Sequence, residues 1–255
     1  MPNVAHRIRN NQRAWDRVAD LFLEATALPA WAVFGVGKDL GLIPTIKGKS
    51  FLEIGCGSGR SIAYLARHGA KKIYAIDASP TQIREAAKFN HVAHQRETVK
   101  LFTGPMEKKY PIPPVDIVFS IYGLGWTQRP EITLRHIYRY LKPGGRFIWS
   151  WDHALFFDVG YEKDKFVVQH SYHDERVLHR KDWKRPGVNI FITYRKTETW
   201  FRLLTEAGFN IIEYHEPKPK NTDRAHRDPK KYYSLQKAKL IPASFIFVCQ
   251  KPIKS

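Results

Sequence analysis

An acidic residue and three glycines lie close together early in the chain, at a spacing that can form a ligand site. The segment EIGCGSG, residues 53–59, follows a short apolar run and precedes a stretch with helical spacing. Glycine next to a strand usually marks a close approach by another group, because it lacks a Cβ and adopts backbone angles that other residues avoid. We therefore expect a ligand to lie across this turn.

The acid before the glycines distinguishes between two classes of ligand. Dinucleotide enzymes use the pattern G-x-G-x-x-G and bind a pyrophosphate at the N-terminus of the following helix. The pattern here is E-x-G-x-G-x-G, with Glu53 two residues before Gly55. A carboxylate at this position repels a pyrophosphate and favours a cationic ligand. The turn therefore favours a positively charged ligand over a dinucleotide.

The turn belongs to a regular alternation of strand-like and helix-like segments. The strand-like segments are almost entirely apolar and lack the polar face of a strand that borders solvent. This pattern predicts a parallel sheet with helices on both faces, and right-handed crossovers make the sheet doubly wound. Strands are predicted at residues 50–55, 71–79, 98–104, 115–123 and 146–152, and helices at residues 58–69, 80–93 and 131–145.

The segments on either side of this alternation have other patterns. Apolar residues at helical spacing predict an N-terminal helix over about residues 10–27, followed by a second helix or an irregular segment up to residue 44. After Asp152, two stretches with a period of two predict short antiparallel strands. These stretches are 165–173 and 188–195, and a helix at 197–209, strands at 210–217 and 242–251 and a short helix around 230–238 complete the prediction.

Further acidic and glycine-rich segments follow the first turn in the order of a known enzyme family. Asp77 ends the second strand about twenty residues after the glycines, where a carboxylate can accept both hydroxyls of a ribose. Together with the stretches VDIVFS and LKPGGRFIWS, these residues resemble the class I S-adenosylmethionine-dependent methyltransferases, in particular their small-molecule, type 11-like group. The resemblance covers about residues 45–152 and continues through 203–217 and 242–251.

The resemblance implies a fold and a division of the chain. The expected fold is a seven-stranded, Rossmann-like α/β sheet whose last strand is antiparallel, with a helical cap and a lid insertion after the fifth strand. The expected parts are an N-terminal cap at residues 1–44, an S-adenosylmethionine-binding core at 45–152, a lid or substrate insertion at 153–196 and the C-terminal part of the core sheet at 197–255.

The resemblance also implies a set of residues that bind S-adenosylmethionine. The glycine turn would face the methionine part and the ribose, Glu53 would support the ammonium group, and Asp77 would bind the ribose. Residues after the second and third strands would border the adenine, and the carbonyl of the residue that ends the fourth strand would meet the ammonium. The cofactor-binding residues expected are Glu53, Gly55, Gly57, Gly59, Asp77, Ala78, Met106, Glu107 and Ser120.

Aromatic residues and one histidine are the candidates for the acceptor side. Tyr122 and Trp126, after the fourth strand, either border a pocket for a flat, partly apolar substrate or pack in the core. The stretch SWDH resembles a segment of type 11 enzymes and places His153 at the substrate mouth, as a base or as a hydrogen-bonding residue of the lid. The resemblance implies in-line methyl transfer to an O, N or C atom. Together with Trp15 from the N-terminal helix, these residues predict that the acceptor is a small aromatic or heteroaromatic molecule.

The charge balance keeps a second class of acceptor open. The 255 residues include 42 Lys and Arg and 24 Asp and Glu, a net charge of +18, which favours polyanions such as RNA. The basic residues are dispersed, with a denser region at 218–239. The segment SIYGLGWT after the fourth strand is not the [DNS]-P-P-[YF] motif that holds a flipped base, and neither cysteine forms a Pro-Cys nucleophile. An RNA methyltransferase and a non-catalytic S-adenosylmethionine-binding protein are the remaining alternatives.

Other features of the sequence argue against metal, disulfide and membrane functions. No metal is expected, because His170 and His173 on a predicted strand would point to opposite faces. Cys56 and Cys249 lie far apart, which disfavours a disulfide framework. No apolar run approaches the roughly 20 residues of a membrane span, and the first residues lack the apolar region of a signal peptide. We therefore expect a cytoplasmic protein, with its oligomeric state left open by the sequence.

Overall fold

The computed structural model describes residues 2–220 and 226–253, which contain a seven-stranded sheet and two small two-stranded sheets. The helices of these ranges are α1 (Val4–Arg17), α2 (Arg60–Arg67), α3 (Pro80–Phe89), α4 (His91–Gln95), α5 (Pro130–Tyr140), α6 (Ala154–Asp158), α7 (Thr197–Glu206) and α8 (Leu235–Leu240). The strands are β1 (Ser50–Ile54), β2 (Lys72–Asp77), β3 (Val99–Thr103), β4 (Val115–Ile121), β5 (Leu141–Asp152), β6 (Val159–Glu162), β7 (Lys165–Val168), β8 (Val177–Arg180), β9 (Ile190–Thr193), β10 (Asn210–His215) and β11 (Ser244–Gln250).

The large sheet has the strand order β10-β11-β5-β4-β1-β2-β3. Strands β1 to β5 pair in parallel with one another, whereas β11 is antiparallel to both of its neighbours, β5 and β10. The chain starts in the middle of the sheet, reaches one edge at β3 and crosses back to β4. This confirms the predicted doubly wound, seven-stranded sheet with an antiparallel last strand, and it brings the carboxyl ends of β1, β2, β4 and β5 to one edge.

Both faces of the central strands are buried, which explains their apolar sequences. Leu52 and Val118 belong to the core on one face of the sheet, which includes residues of α5 and α7. Phe51 and Phe119 belong to the core on the opposite face, which includes residues of α2. Because successive side chains of a strand alternate between faces, a strand covered on both sides needs apolar residues at every position.

The N-terminal helix lies earlier in the chain than the prediction of 10–27. Helix α1 begins at Val4 because the side chain of Asn3 accepts a hydrogen bond from the backbone N–H of His6 at 2.9 Å. It ends at Arg17, and a short 3-10 helix at Ala19–Phe22 follows. Between residues 28 and 44 the backbone is irregular apart from a 3-10 turn at Val33–Gly35.

The predicted helix at 80–93 is two helices, α3 and α4. The break falls at Asn90, whose Nδ2 donates hydrogen bonds to the carbonyls of Gly59 at 3.0 Å and Ala86 at 2.9 Å. Two other boundaries also differ: β5 begins at Leu141, five residues before the predicted start, and α8 begins at Leu235 after its cap Ser234. Residues 221–225 of the basic region at 218–239 lie outside the described residues.

The segment after Asp152 forms two hairpins, each of which contains one of the two predicted strands and one strand that was not predicted. Strand β7 pairs with β6, and β9 pairs with β8, so the two predicted strands are not partners of each other. The first hairpin turns at Lys163 and Asp164, which both have positive φ, 46° and 58°. Such two-residue turns usually contain Asn-Gly or Asp-Gly, so a Lys-Asp turn is not recognisable from composition.

One buried asparagine joins helix α1 to the second hairpin. The side chain of Asn11 donates to the carbonyl of Phe191 at 2.6 Å and accepts the N–H of the same residue at 2.8 Å. It therefore satisfies the outer edge of β9 as a neighbouring strand would. The adjacent Asn10 makes a single, exposed hydrogen bond to the carbonyl of Asn189 at 2.7 Å.

Replacing Asn11 tests the strength of this connection. Asn11→Ala leaves a buried N–H without a partner and is expected to lower the free energy of unfolding by about 1–3 kcal/mol. The matched variant Asn10→Ala removes only an exposed hydrogen bond, so we expect a change within about 0.5 kcal/mol. Urea denaturation followed by tryptophan fluorescence measures both, and equal losses in the two variants would contradict this account of α1.

Candidate active site

A cavity of about 590 Å³ lies at the carboxyl ends of β1, β2, β4 and β5. Its wall continues onto α1 and the second hairpin. The structure brings nine of the residues predicted from the sequence to this wall: Trp15, Gly55, Gly57, Asp77, Ala78, Met106, Glu107, Tyr122 and Trp126. Four other predicted residues do not line it: Glu53, Gly59, Ser120 and His153.

Glycine is required at each of the three positions of the turn for a different physical reason. All three have positive φ, but a Cβ on Gly57 would meet nothing nearer than Gln82 Oε1 at 3.9 Å, in open space beside the cavity. A Cβ on Gly59 would lie 2.7 Å from Asn90 Nδ2, so this glycine permits the packing of α2 on α3. A Cβ on Gly55 would lie 2.9 Å from the Cα of Gly123. Gly57 has open space at its Cβ position, and both Gly55 and Gly57 line the cavity, whereas Gly59 does not; the expected ligand contact of the three glycines stays a prediction.

Asp77, at the end of β2, holds the turn in place. Its Oδ2 accepts the N–H of Gly57 at 2.9 Å and its Oδ1 accepts the N–H of Ser79 at 2.9 Å. Burial raises the pKa of the Asp77 carboxyl above its usual range, against the opposing effect of these backbone hydrogen bonds. Asp77 thus shapes the glycine turn while its carboxylate remains on the cavity wall.

Two buried oxygen atoms behind the turn have no hydrogen-bond partner among the described residues. They are Glu53 Oε2, on a side chain that is 3% exposed, and Oε1 of Gln82, which lines the cavity. Burial raises the pKa of the Glu53 carboxyl well above its usual range. Unpaired acceptors of this kind need a donor, and a cationic one is favoured beside a carboxylate. The residues present therefore fit the positively charged donor of a methyltransferase.

The remaining predicted donor residues connect loops. Glu107 Oε1 accepts hydrogen bonds from the hydroxyl of Thr127 at 2.9 Å and the N–H of Gln128 at 2.8 Å, which ties the loop after β3 to the loop after β4. Ser120 is fully buried, and its hydroxyl donates to the carbonyl of Ile54 at 2.7 Å. Met106 lies on the cavity wall. The predicted contact of the Ser120 carbonyl with a ligand stays a prediction.

A cluster of aromatic rings forms the wall opposite the glycine turn. Trp15 of α1 is in edge contact with Trp126 and Trp183, at centroid distances of 5.1 and 4.9 Å. Trp126 in turn contacts Trp151 at the end of β5, at 5.5 Å. All four tryptophans line the cavity, and Phe22 joins the cluster beside Trp15. Flat apolar walls of this kind suit a flat organic ligand.

His153 lies away from this cavity, contrary to the placement at its mouth that the sequence analysis expected. Its Nδ1 accepts the N–H of Leu155 at 3.2 Å and caps α6, and its Nε2 lies 3.1 Å from Oε1 of Glu216. Both ring nitrogens therefore have partners within the protein. Burial lowers the pKa of His153, against the opposing effect of Glu216. Its assignment as the base stays a prediction that this geometry does not favour.

Polar residues that were not predicted from the sequence lie on the same wall. Asp152, one residue before His153, is 6% exposed, and its carboxylate accepts hydrogen bonds from the hydroxyls of Tyr233 at 2.9 Å and Tyr232 at 3.1 Å. All three residues line the cavity, together with the exposed Arg180 of β8. The acid at the end of a core strand was a recognisable signal, whereas the Tyr-Tyr pair lies 80 residues later, in a segment without a motif.

The fold and the cavity define a class of protein: an α/β protein with a doubly wound sheet and a cavity beside the glycine turn at the carboxyl ends of its parallel strands. The family model described as a methyltransferase domain, of type 11, matches residues 52–149. Residues 52–149 form an S-adenosylmethionine-dependent methyltransferase domain of the class I, type 11-like group. The chain is thus an enzyme of the methyltransferase class, as the sequence resemblance implied.

Two curated relatives align with most of the chain. An uncharacterized protein of Haemophilus influenzae is 26% identical over 191 residues, which cover 70% of this chain and 74% of the relative. Malonyl-[acyl-carrier protein] O-methyltransferase of Paenibacillus sp. is 25% identical over 183 residues, which cover 69% of this chain and 61% of the relative. The chain thus spans less than two thirds of the Paenibacillus enzyme.

Solved structures confirm the fold. S-adenosylmethionine-dependent methyltransferases of Listeria monocytogenes and Mesorhizobium loti have TM-scores of 0.64 and 0.66 at 23% and 21% identity. These alignments cover 83% of this chain in both cases, and 95% and 94% of those chains. The 1,6-didemethyltoxoflavin-N1-methyltransferase of Burkholderia thailandensis, solved with 1,6-didemethyltoxoflavin and S-adenosylhomocysteine, has a TM-score of 0.61 at 15% identity. That alignment covers 99% of this chain and 92% of that chain.

Neither a group of metal ligands nor a helix able to span a membrane occurs in the described ranges. No group of three or more His, Cys, Asp or Glu side chains within residues 2–220 and 226–253 is arranged to hold a metal ion. None of the helices in the same part of the chain has the length and apolar character needed to cross a bilayer.

The glycine turn yields a prediction with a built-in comparison. Gly59→Ala places a methyl group against α3 and is expected to lower the free energy of unfolding by about 2–4 kcal/mol. Gly57→Ala has room for the methyl group, so we expect a loss of about 1 kcal/mol from its positive φ, but a fall in affinity for S-adenosylhomocysteine of at least about tenfold. Urea denaturation and calorimetry separate the two effects. A Gly57→Ala protein with unchanged affinity would contradict the ligand role of this glycine.

Glu53 yields a prediction about pH. Its folded-state pKa is raised, so the folded protein binds a proton that the unfolded chain has lost, and stability falls as pH rises above the unfolded value of about 4.3. Glu53→Gln removes this effect, so its gain in free energy of unfolding over the wild type should grow from pH 4 towards neutral pH. The same variant should bind S-adenosylhomocysteine at least about tenfold more weakly, because it loses a charged hydrogen bond.

Thermal and urea unfolding at several pH values measure the stability effect of Glu53→Gln. The control is Glu24→Gln, because the side chain of Glu24 is 86% exposed and only its surface ion pair with Arg60 is lost. A stability difference between wild type and Glu53→Gln that is constant across this pH range would contradict the raised pKa of the buried Glu53 carboxyl.

Proposed function

We propose that this methyltransferase transfers the methyl group of S-adenosylmethionine to an O, N or C atom of a small aromatic or heteroaromatic molecule. The observation that carries the proposal is that one cavity contains both the glycine turn and the tryptophan cluster. Its volume of about 590 Å³ is in the range of small-molecule sites. A donor and a flat acceptor bound there would share one enclosed space.

The residues around the turn would hold the donor. S-adenosylmethionine carries an activated methyl group on a sulfonium, so the protein has to align the reactants and exclude water. Asp77 would accept hydrogen bonds from the ribose, the unpaired oxygen of Glu53 would serve the ammonium, and Gly57 would provide clearance. No metal is part of this proposal.

The tryptophans would hold the acceptor, with α1 and the hairpins after β5 as a cover over it. Three of them come from three separate parts of the chain: Trp15 from α1, Trp126 from the loop after β4 and Trp183 from the loop between β8 and β9. The heteroaromatic ligand in the Burkholderia thailandensis enzyme supports this class of acceptor. The roles of residues 1–44 as a cap and 153–196 as a lid are part of the proposal.

The distribution of lysines argues against RNA as the acceptor. A second cleft, of about 360 Å³, is bordered by five lysines: Lys47, Lys49, Lys71, Lys72 and Lys142. It lies at the amino ends of β1, β2 and β4, at the edge of the sheet opposite the glycine turn. A phosphate backbone bound there would not lead to the methyl donor. At the cavity itself, the described basic residues are Arg180 and Lys184 at the rim.

A transfer assay and a binding assay test the proposal together. The full chain with labelled S-adenosylmethionine is incubated with a panel of phenols, catechols and nitrogen heterocycles, and formation of S-adenosylhomocysteine is measured. We expect turnover with at least one flat acceptor. Asp77→Ala should weaken binding of S-adenosylhomocysteine by about 1–3 kcal/mol in calorimetry, because the ribose loses its hydrogen bonds.

Three outcomes would contradict the proposal. The first is binding of NADH in preference to S-adenosylhomocysteine. The second is methylation of bulk RNA, with a steep salt dependence and no turnover on the small-molecule panel. The third is donor binding without consumption on either substrate class, which would favour the non-catalytic alternative.

A further inference from the structure

The carboxyl group of Asp152 is the most buried acid on the acceptor side of the cavity. It ends β5, is 6% exposed, and accepts one hydrogen bond on each oxygen, from Tyr233 on Oδ1 and from Tyr232 on Oδ2. Both tyrosine hydroxyls are donors here, and burial raises their pKa well above its usual range. The two tyrosines therefore fix the orientation of the carboxyl group without neutralising it.

The charged groups that face Asp152 remain at a distance. Among the described residues, no lysine or arginine forms an ion pair with it within 4.0 Å. Lys237 of α8 contacts the ring of Tyr232, with its Nζ 4.8 Å from the ring centroid. Its Nζ donates to the carbonyls of Phe156 at 3.2 Å and Val159 at 3.1 Å. Arg180 lies at the rim of the cavity. A buried carboxylate with only neutral donors has capacity for a further hydrogen bond.

The sheet places this carboxyl group close to the donor side. Strand β5 is next to β4, and β4 is next to β1, so two strand spacings of about 4.8 Å separate the end of β5 from the glycine turn. Tyr122, after β4, lies between them, with its ring centroid 6.3 Å from that of Tyr233. A flat acceptor of one or two rings spans this separation.

We propose that Asp152 is a catalytic residue that binds the hydroxyl or ring N–H of the acceptor and takes its proton, with Tyr232 and Tyr233 as positioning residues. The O–H or N–H bond breaks and the proton moves to Asp152. The electron pair of that oxygen or nitrogen forms the new bond to the methyl carbon, and the former sulfonium leaves as a neutral thioether. This inference rests on the proposed function, and it replaces His153 with its neighbour.

The chemistry of the carboxyl group supports this role. Burial raises the pKa of Asp152 to about 7, against the opposing hydrogen bonds of Tyr233 and Tyr232. At neutral pH, a carboxyl group with this pKa is ionised in a large fraction of the protein molecules and still accepts a proton readily. The raised pKa of the two tyrosines keeps their hydroxyls protonated near neutral pH, so they cannot act as the base. Both nitrogens of His153 have partners outside the cavity.

A pair of matched probes tests the contact without knowledge of the natural acceptor. The full chain is saturated with S-adenosylhomocysteine and titrated by calorimetry with 2-naphthol and with 2-methoxynaphthalene, which has the same rings but no O–H. A second pair is indole and 1-methylindole. We expect the wild type to bind the donor-bearing member of at least one pair at least about tenfold more tightly, as for a charged hydrogen bond.

Variants assign this preference to Asp152. Asp152→Asn keeps the shape and removes the charge, so the preference should fall to about threefold or less. Tyr233→Phe removes one hydroxyl and leaves the carboxyl group, so part of the preference should remain. The control is Glu216→Gln, which removes the partner of His153 outside the cavity and should leave the preference unchanged.

The pH dependence provides a readout that a purely structural role would not produce. Asp152 is ionised above its pKa, so the preference of the wild type should grow between about pH 5.5 and pH 7.5, whereas Asp152→Asn should show none of this change. Lys237, with a pKa lowered by burial to about 8, loses its charge mainly above this range. Tyr233→Phe removes a donor to the carboxylate, so it should shift the midpoint to higher pH.

The outcomes separate the two proposals. If the protein does not bind S-adenosylhomocysteine, the proposed function fails. If it binds S-adenosylhomocysteine but prefers neither donor-bearing probe, or if Asp152→Asn retains the full preference, the role of Asp152 is overturned and the proposed function stands. A preference that Glu216→Gln abolishes and Asp152→Asn leaves intact would return the role to His153. Unchanged affinity of Asp152→Asn for S-adenosylhomocysteine shows that the variant is folded.

Discussion

Direct backbone contact between the tips of β1 and β4 is the constraint on which the site depends. A Cβ on Gly55 would lie 2.9 Å from Gly123 Cα, and a Cβ on Gly123 would lie 2.6 Å from the carbonyl oxygen of Ile54. The hydroxyl of Ser120 joins the same two segments, because it donates to Ile54 and accepts the N–H of Leu124 at 2.9 Å. The glycine turn and the start of the loop after β4 therefore form one continuous wall.

This contact also determines how the acceptor side is built. Tyr122, directly before Gly123, has a left-handed backbone with φ of 54°, and its hydroxyl is hydrogen-bonded to that of Ser244 on β11. A tyrosine in this conformation is strained, and such strain persists only where the surroundings hold it. The sharp bend turns the chain from β4 towards Trp126, which meets α1 through Trp15. Helix α1 is fixed in turn by Asn11 on β9 and by Asp16 on Ser79 and Thr81.

The sequence was sufficient to predict the sheet and the position of the glycine turn and Asp77 at its edge, because both depend on local patterns. Apolar strands, a glycine turn and Asp77 at the end of β2 follow one another in order, and parallel strands bring their ends together. The acceptor side depends on contacts between distant segments. Tyr232 and Tyr233 meet Asp152 across about 80 residues of sequence. His153 was the more reactive residue type, but the alternation along β5 and the start of α6 left Asp152 on the cavity wall instead.

Three buried acids in a chain of net charge +18 have a common explanation. Burial raises the pKa of Glu53, Asp77 and Asp152, so each destabilises the fold when it is ionised. Among the described residues no lysine or arginine forms an ion pair with these acids, and the buried Lys237 donates to backbone carbonyls instead. A buried carboxylate kept without a counterion is compensated when a ligand supplies the missing partner. A cationic donor beside Glu53 and a proton-bearing acceptor at Asp152 would each supply such a partner. The same two carboxylates that lower the stability of the free protein would then determine which ligands it binds.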